Sequence, residues 1–470
     1  MLHVHDHRQW NYATARHLLN RAGFGASPGL VRRFAAMGLH KAVETIVEAP
    51  PEAGALGRPE WAHPESLREI MRSMRGATDQ ERRQARREFA RRQRRNLADL
   101  TGRWLDWMRR SPDPLREKFA LFLHGHFATS AEKVRDAYLL WQQNELFRNR
   151  GLGDFRQLTK DVSRDPAMLV YLDAVRSKLT SPNENFAREV MELFTLGEGN
   201  YSERDVREAA RAFTGYRIKP ESQRFWFIEG MHDDGRKEIL GRSGKFSGDD
   251  VIDLIFEQPR AAEFLARKIW EFFVYENPDE PLVTRLAATF RGFSYDSRRL
   301  LWAIFRSREF YSERAMATQI KSPVQWLVQA CNELECELPE PTASMRALAR
   351  MGQELFKPPN VKGWDGGRSW INSSTLLFRY NLAAAFTGAA AKGRDRMPKV
   401  EFAALLGKAL DDDAAAVVDS LGARFYGGDP GGRERQAFVG YWVDNREHDR
   451  AAAVSGLAQL MMSTPRYQLC

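Results

Sequence analysis

Apolar residues recur at three- and four-residue intervals along most of this chain, the spacing of one buried helix face. Ala13–Arg21, Pro28–Met37 and His40–Glu48 are expected as short helices, the first stopped by Gly23 and Gly25. Pro50–Pro64 is a Pro/Gly-rich connection. Gln80–Arg110 is one long helical pattern ended by Ser111-Pro112-Asp113-Pro114, and Leu115–Phe127, Val134–Phe147 and Asp154–Ser163 continue it as helices. Ser181-Pro182-Asn183-Glu184 has the form of a helix start with Ser181 at the cap and Glu184 completing a capping box. Gly197 and Gly199 close that helix, and Ser202-Glu203-Arg204-Asp205 opens the next. The same start recurs at Ser322-Pro323-Val324-Gln325, before the apolar Trp326, Leu327 and Ala330. Asp249–Glu257, Arg260–Tyr275 and Pro281–Phe293 are helical too. One region departs from the helical period. Residues 224–228 and 237–240 have strand composition on either side of His232-Asp233-Asp234-Gly235, which predicts an inserted β-hairpin within about 216–245.

The expected fold is mostly α, a multi-helix array with that one hairpin. At 470 residues the chain exceeds the roughly 250–300 over which a single core keeps growing, so two lobes are expected. They are placed at 1–310 and 311–470, with a Gly/Trp loop, Pro358–Trp370, near their junction.

Charge adds one feature. The net charge is +9, and Asp79–Arg95 alone holds eight arginines against Asp79, Glu81 and Glu88. These arginines spread around most of a helix with Phe89 as their only aromatic neighbour, which fits a solvated arm and no specific nucleic-acid reader. Cys331, Cys336 and Cys470 give no disulfide framework, and the five-residue step from Cys331 to Cys336 on a helix points the pair to different faces. The chain has no run near the roughly 20 apolar residues of a membrane span. It opens without a secretory leader, so it is expected to be cytoplasmic as given, and exported if the true start lies upstream.

Several motifs occur together: HLLNRAGFGAS (His17–Ser27), DPLREKFALFLHGHFATS (Asp113–Ser130), NENFAREVMELFTLGEGNYSERDVREAARAFTGY (Asn183–Tyr216), HDDGRKEILG (His232–Gly241), KSPVQW (Lys321–Trp326) and LFKPPNVKGWDGGRSWINSSTLLFRYN (Leu355–Asn381). In order and wording they resemble the bacterial domain-of-unknown-function 1800 family over nearly the whole chain. The resemblance implies a mostly helical protein, a frequent sulfatase-like neighbour as protein partner, and export of many members. This chain differs in having Phe194 where many members show His, and Leu123 where Trp is common.

Candidate chemistry concentrates in four places. A step of about 100° per residue across Asn183–Phe194 puts Phe186, Val190, Leu193 and Phe194 on one face and Glu184, Arg188, Glu189 and Glu192 on the other. Glu189 and Glu192 are then an acid/base or ligand pair one turn apart, with Arg188 as a substrate contact; a half-buried helix with a solvated face gives the same pattern. His124 and His126 are metal-ligand candidates for a divalent ion, but on a regular helix their imidazoles diverge unless the helix ends at Gly125. His232 on the predicted flap is a third catalytic candidate, against a turn in which Asp233 bonds its own backbone. In PPNVKGWDGGRSW, Trp364, Asp365, Arg368 and Trp370 are substrate-binding candidates, and no phosphate-loop pattern is present. No nucleotide or redox cofactor has a visible cradle. Two functions fit: a hydrolase acting on a polymer or conjugate, with a metal as optional assistant, or a non-catalytic scaffold binding a protein through its lobes and its arginine-rich arm.

Overall fold

The computed structural model describes residues 2–49, 56–65, 67–389, 397–411 and 413–470. Residues 50–55 of the predicted Pro50–Pro64 connection lie outside the described residues, and 56–64 form neither helix nor strand. Among the described residues there are 23 α-helices and two two-stranded antiparallel sheets, so the fold is mostly α with small hairpins.

The long helix Asp79–Arg110 organises the centre. Thr78 and Glu81 cap it reciprocally. Its second half buries Leu97, Leu100, Trp104, Leu105 and Met108. That face packs against Pro114–His126, Ala137–Arg150, Pro323–Glu333 and Pro341–Met351, so helices from before and after residue 310 share it. One cluster of buried apolar residues extends from Ala15 to Tyr467. The first half of the helix is more ordered in its charges than its sequence suggests. Arg82 turns in to the carbonyls of Met74 and Arg75, and Arg92 pairs with Glu65. Arg83, Arg86, Arg87, Arg91, Arg94 and Arg95 stay exposed.

Four local expectations are corrected. The two predicted strands do not pair with each other. Instead β1 (Tyr216–Lys219) pairs with β2 (Arg224–Phe227), and β3 (Lys237–Ile239) pairs with β4 (Arg242–Gly244). The second hairpin turns on Leu240 and Gly241, with φ of 50° and 75°, the two consecutive positive values of a tight hairpin turn. The helix expected over Val134–Phe147 is broken, because Arg135 is left-handed at φ 54° and Asp136 starts a new helix by accepting from Tyr138 and Leu139. The Ser181 cap is displaced to Asn183, whose side chain accepts from the Asn185 N–H, and Glu184 becomes the first residue of the Glu184–Met191 helix. Cys331 and Cys336 meet because their helix ends at Glu333. The Cys336 N–H donates to the Cys331 carbonyl at 3.0 Å, and burial together with the neighbouring thiol raises the Cys331 thiol.

Candidate functional site

A cavity of about 620 Å³ opens where four helical segments meet the Gly/Trp loop. The Pro114–His126 helix contributes Lys118, Leu121, Phe122, Gly125 and His126, spaced as one helix face. The Pro259–Phe273 helix contributes Phe264, Lys268, Glu271 and Phe272 in the same way. Glu192 and Leu193 enter from the end of the carboxylate helix, and Gln325 from the start of Pro323–Glu333. Lys362, Trp364, Asp365, Gly366, Gly367 and Trp370 form another wall, and Glu198 and Glu276 also line the space.

The carboxylate helix reaches the cavity because it changes pitch. After Met191 the chain forms a π-turn over Glu192–Leu196, closed by Gly197 at φ 82°. The Thr195 hydroxyl donates back to the Val190 carbonyl five residues earlier. Such wide turns commonly mark functional positions in helices. Glu192 lines the cavity and accepts a hydrogen bond from the Tyr201 hydroxyl, whose own ionisation is pushed up by burial and by that carboxylate. Glu189 is half-buried and does not line it. Burial and the Glu192 charge raise its carboxyl above the ordinary range.

The histidine pair diverges, as a continuous helix through Gly125 requires. His124 packs against Trp104 and Phe356, and its Nε2 accepts from the Phe356 N–H at 2.9 Å. His126 stacks on Phe122 and donates from Nε2 to the Phe194 carbonyl at 3.0 Å. Burial lowers both imidazoles to about 3, so both are neutral at pH 7. Phe194 is buried with its ring 6.1 Å from that of His126. His126 lines the cavity and His124 does not. Among the described residues no group of three or more His, Cys, Asp or Glu side chains is placed to hold a metal ion.

The other candidates separate in the same way. His232 Nδ1 lies 3.0 Å from the Thr214 carbonyl, and Asp233 accepts from Gly235 and pairs with Arg211. This is the turn arrangement, and neither residue lines the cavity. Arg188 makes two hydrogen bonds to Glu203, at 2.6 and 2.8 Å, and is 3.7 Å from Glu184. In the Gly/Trp loop, Trp364, Asp365 and Trp370 line the cavity while Arg368 is exposed and does not. Two glycines seat that loop. A Cβ on Gly363, at φ 88°, would overlap the Gly125 carbonyl oxygen, and one on Gly367 would overlap the Glu276 carboxylate. The backbone approaches that close because no side chain intervenes.

Sequence reasoning missed Lys118, Lys268, Glu271 and Glu276. A signal was present for Lys118, a lysine on the otherwise apolar face of Leu121, Phe122 and Gly125. Glu271 is half-buried and its carboxyl is raised by that burial, partly offset by the Asn277 N–H and Lys268. Burial lowers Lys268. Five carboxylates, Glu192, Glu198, Glu271, Glu276 and Asp365, face three lysines, Lys118, Lys268 and Lys362. The cavity therefore disfavours anions and suits neutral or cationic ligands.

Among the described residues no helix is long and apolar enough to cross a membrane. No curated protein and no solved structure matches the chain. The model of the family described as "Protein of unknown function (DUF1800)" matches residues 17–469, and the chain belongs to that family.

Proposed function

We propose that the protein is a hydrolase acting on a neutral, hydroxyl-rich polymer or conjugate bound in this cavity. The observation that carries the reading is that Glu192 and Glu271 line one cavity in unlike surroundings. Glu271 is half-buried with a raised carboxyl, which suits a proton donor to a leaving group. Glu192, held by the Tyr201 hydroxyl, serves as the base that takes a proton from water. Trp364 and Trp370 line the cavity, and aromatic side chains there suit the apolar faces of sugar rings. The predicted carboxylate chemistry is kept for Glu192, and its partner becomes Glu271 in place of Glu189 and His232. Metal assistance has no ligand cluster to support it among the described residues.

A panel of neutral polysaccharides and glycoconjugates tests this, with Trp364→Ala beside the native chain. The replacement is expected to raise KM about 10-fold, the loss of one stacking contact of about 1.4 kcal/mol. An intact native protein inert on the whole panel, or a Trp364→Ala variant with unchanged KM, overturns the proposal.

The scaffold reading keeps one observation in its favour. Six exposed arginines of the long helix, Arg83 to Arg95, make no ion pair among the described residues. It predicts that Arg87→Glu with Arg91→Glu weakens binding of the sulfatase-like neighbour at least tenfold at low salt. Unchanged binding removes it.

A further inference from the structure

Lys118 is a buried amine with an unusual set of neighbours. Its residue is 6% exposed, yet it lines the cavity. Nζ donates to Gln325 Oε1 and lies 4.9 Å from the Phe24 ring centre and 5.8 Å from that of Phe272. No carboxylate pairs with it among the described residues. The groups that act on it electrostatically are Cys470 and, from the Tyr12–Ala22 helix, Arg21. Lys268 and Glu271 share the cavity with it from the Pro259–Phe273 helix. A buried cation without a carboxylate partner is expensive, and the amine responds by losing its proton. Burial lowers it to about 7, so about half of it is neutral at neutral pH.

The Gln325 amide is fixed in one orientation. Its Nε2 donates to Gln329 Oε1 at 2.8 Å and to the Asn20 carbonyl at 3.3 Å. Gln329 in turn donates to Glu333 at 2.7 Å, and Glu333 is anchored by Arg16 at 2.9 Å. This rail leaves Gln325 Oε1 as an acceptor only. It holds one amine N–H and leaves the nitrogen lone pair unengaged by that contact. A structural lysine would be expected to face a carboxylate; here the amine meets an amide oxygen and two rings beside a ligand-sized space.

We infer that Lys118 is a nucleophilic amine that forms an imine with an aldehyde or ketone ligand entering this cavity. The Nζ lone pair adds to the carbonyl carbon, the N–C bond forms, and the C=O pair moves to oxygen, which takes up a proton. The carbinolamine then loses its hydroxyl as water, after that oxygen is protonated again by a cavity acid, while nitrogen gives up its hydrogens. Amine plus carbonyl yields imine plus water, with no oxidant or reductant. The inference shares with the hydrolase proposal only the premise that the cavity is a ligand site.

The full chain at pH 7 is incubated with propanal and cyanoborohydride, which supplies hydride to reduce C=N to a stable secondary amine. Peptide mapping then reads the propyl label at each lysine. Label is expected at Lys118 roughly 10- to 100-fold faster than at exposed Lys41 or Lys245, each of which faces a carboxylate. Lys118→Met should lose the label while keeping the native circular dichroism. Labelling of Lys118 no faster than Lys41 in natively folded protein overturns the inference and needs no variant. The readout involves no turnover, so an inert hydrolysis panel leaves it standing, and unlabelled Lys118 leaves the hydrolase proposal standing.

Discussion

Glu271→Gln is expected to lower kcat by roughly 10²–10⁴-fold on any substrate the cavity hydrolyses, about 3–5 kcal/mol of barrier. The amide keeps the shape of the side chain and can still accept from the Asn277 N–H. It cannot deliver a proton to a departing oxygen. Because a general acid must be protonated to act, activity should fall as pH rises through the raised Glu271 value, and the variant should lack that limb. A purely structural role would shift stability and leave the limb in place. A Glu271→Gln protein that retains more than about one tenth of native kcat, with the alkaline limb intact, ends the acid assignment.

Glu117→Ala should be the most destabilising single change, by about 3–5 kcal/mol. Glu117 is 0% exposed and holds Arg148 Nε at 3.0 and 2.9 Å with its two oxygens. The Trp104 indole donates to the same carboxylate at 3.0 Å. This ties the long central helix, the cavity helix Pro114–His126 and the Ala137–Arg150 helix at one point. Truncation takes from a buried guanidinium the carboxylate that holds its Nε, leaving Glu145 on Nη1, and leaves an indole short of its acceptor. Replacing both partners, Glu117→Met with Arg148→Met, should cost less than the single change, because no buried guanidinium is left with weakened charge compensation. The measurement is the midpoint and slope of urea unfolding followed by tryptophan fluorescence. A midpoint shift equivalent to less than about 1 kcal/mol would show that the pair is solvated and the helices are held otherwise. Loss at this point should also loosen the cavity, since Lys118 is the next residue.

Much of the helical architecture was legible in the chain. Pro28–Met37 begins and ends where the apolar spacing predicts, and Ser202 with Asp205, and Ser322 with Pro323, start helices as expected. These are local choices. A cap bonds a backbone N–H two or three residues away, and a proline at the first turn lacks only a donor that would be unsatisfied anyway. The failures are local as well, but set by side-chain competition that spacing does not encode. Asp136 restarts a helix after a left-handed Arg135, and Asn183 outcompetes Ser181 as a cap. Two of the four strands, at Arg224–Phe227 and Lys237–Ile239, are legible in the sequence, but their partners Tyr216–Lys219 and Arg242–Gly244 are not. Pairing depends on where the chain reverses: residues 220–223 close the first hairpin and Leu240-Gly241 the second.

The site divides along the same line. Sequence alone determined that this is a mostly helical protein and singled out a carboxylate helix, a histidine pair and a Gly/Trp loop as candidates, because helix period and motif wording are properties of neighbours in the chain. Only the tertiary structure decided which of them share a space. It gathered Glu192, His126, Trp364, Asp365 and Trp370 with Lys118 and Glu271, and turned His124, Glu189, His232, Arg188 and Arg368 elsewhere. The reason is physical: a π-turn rotated one carboxylate inward, an intact helix sent two imidazoles apart, and glycines at 363 and 367 let a distant loop close against Gly125 and Glu276. Those are contacts between segments as far apart as 125 and 363, and burial there changes the ionisation of groups whose identities the chain displays but whose surroundings it does not.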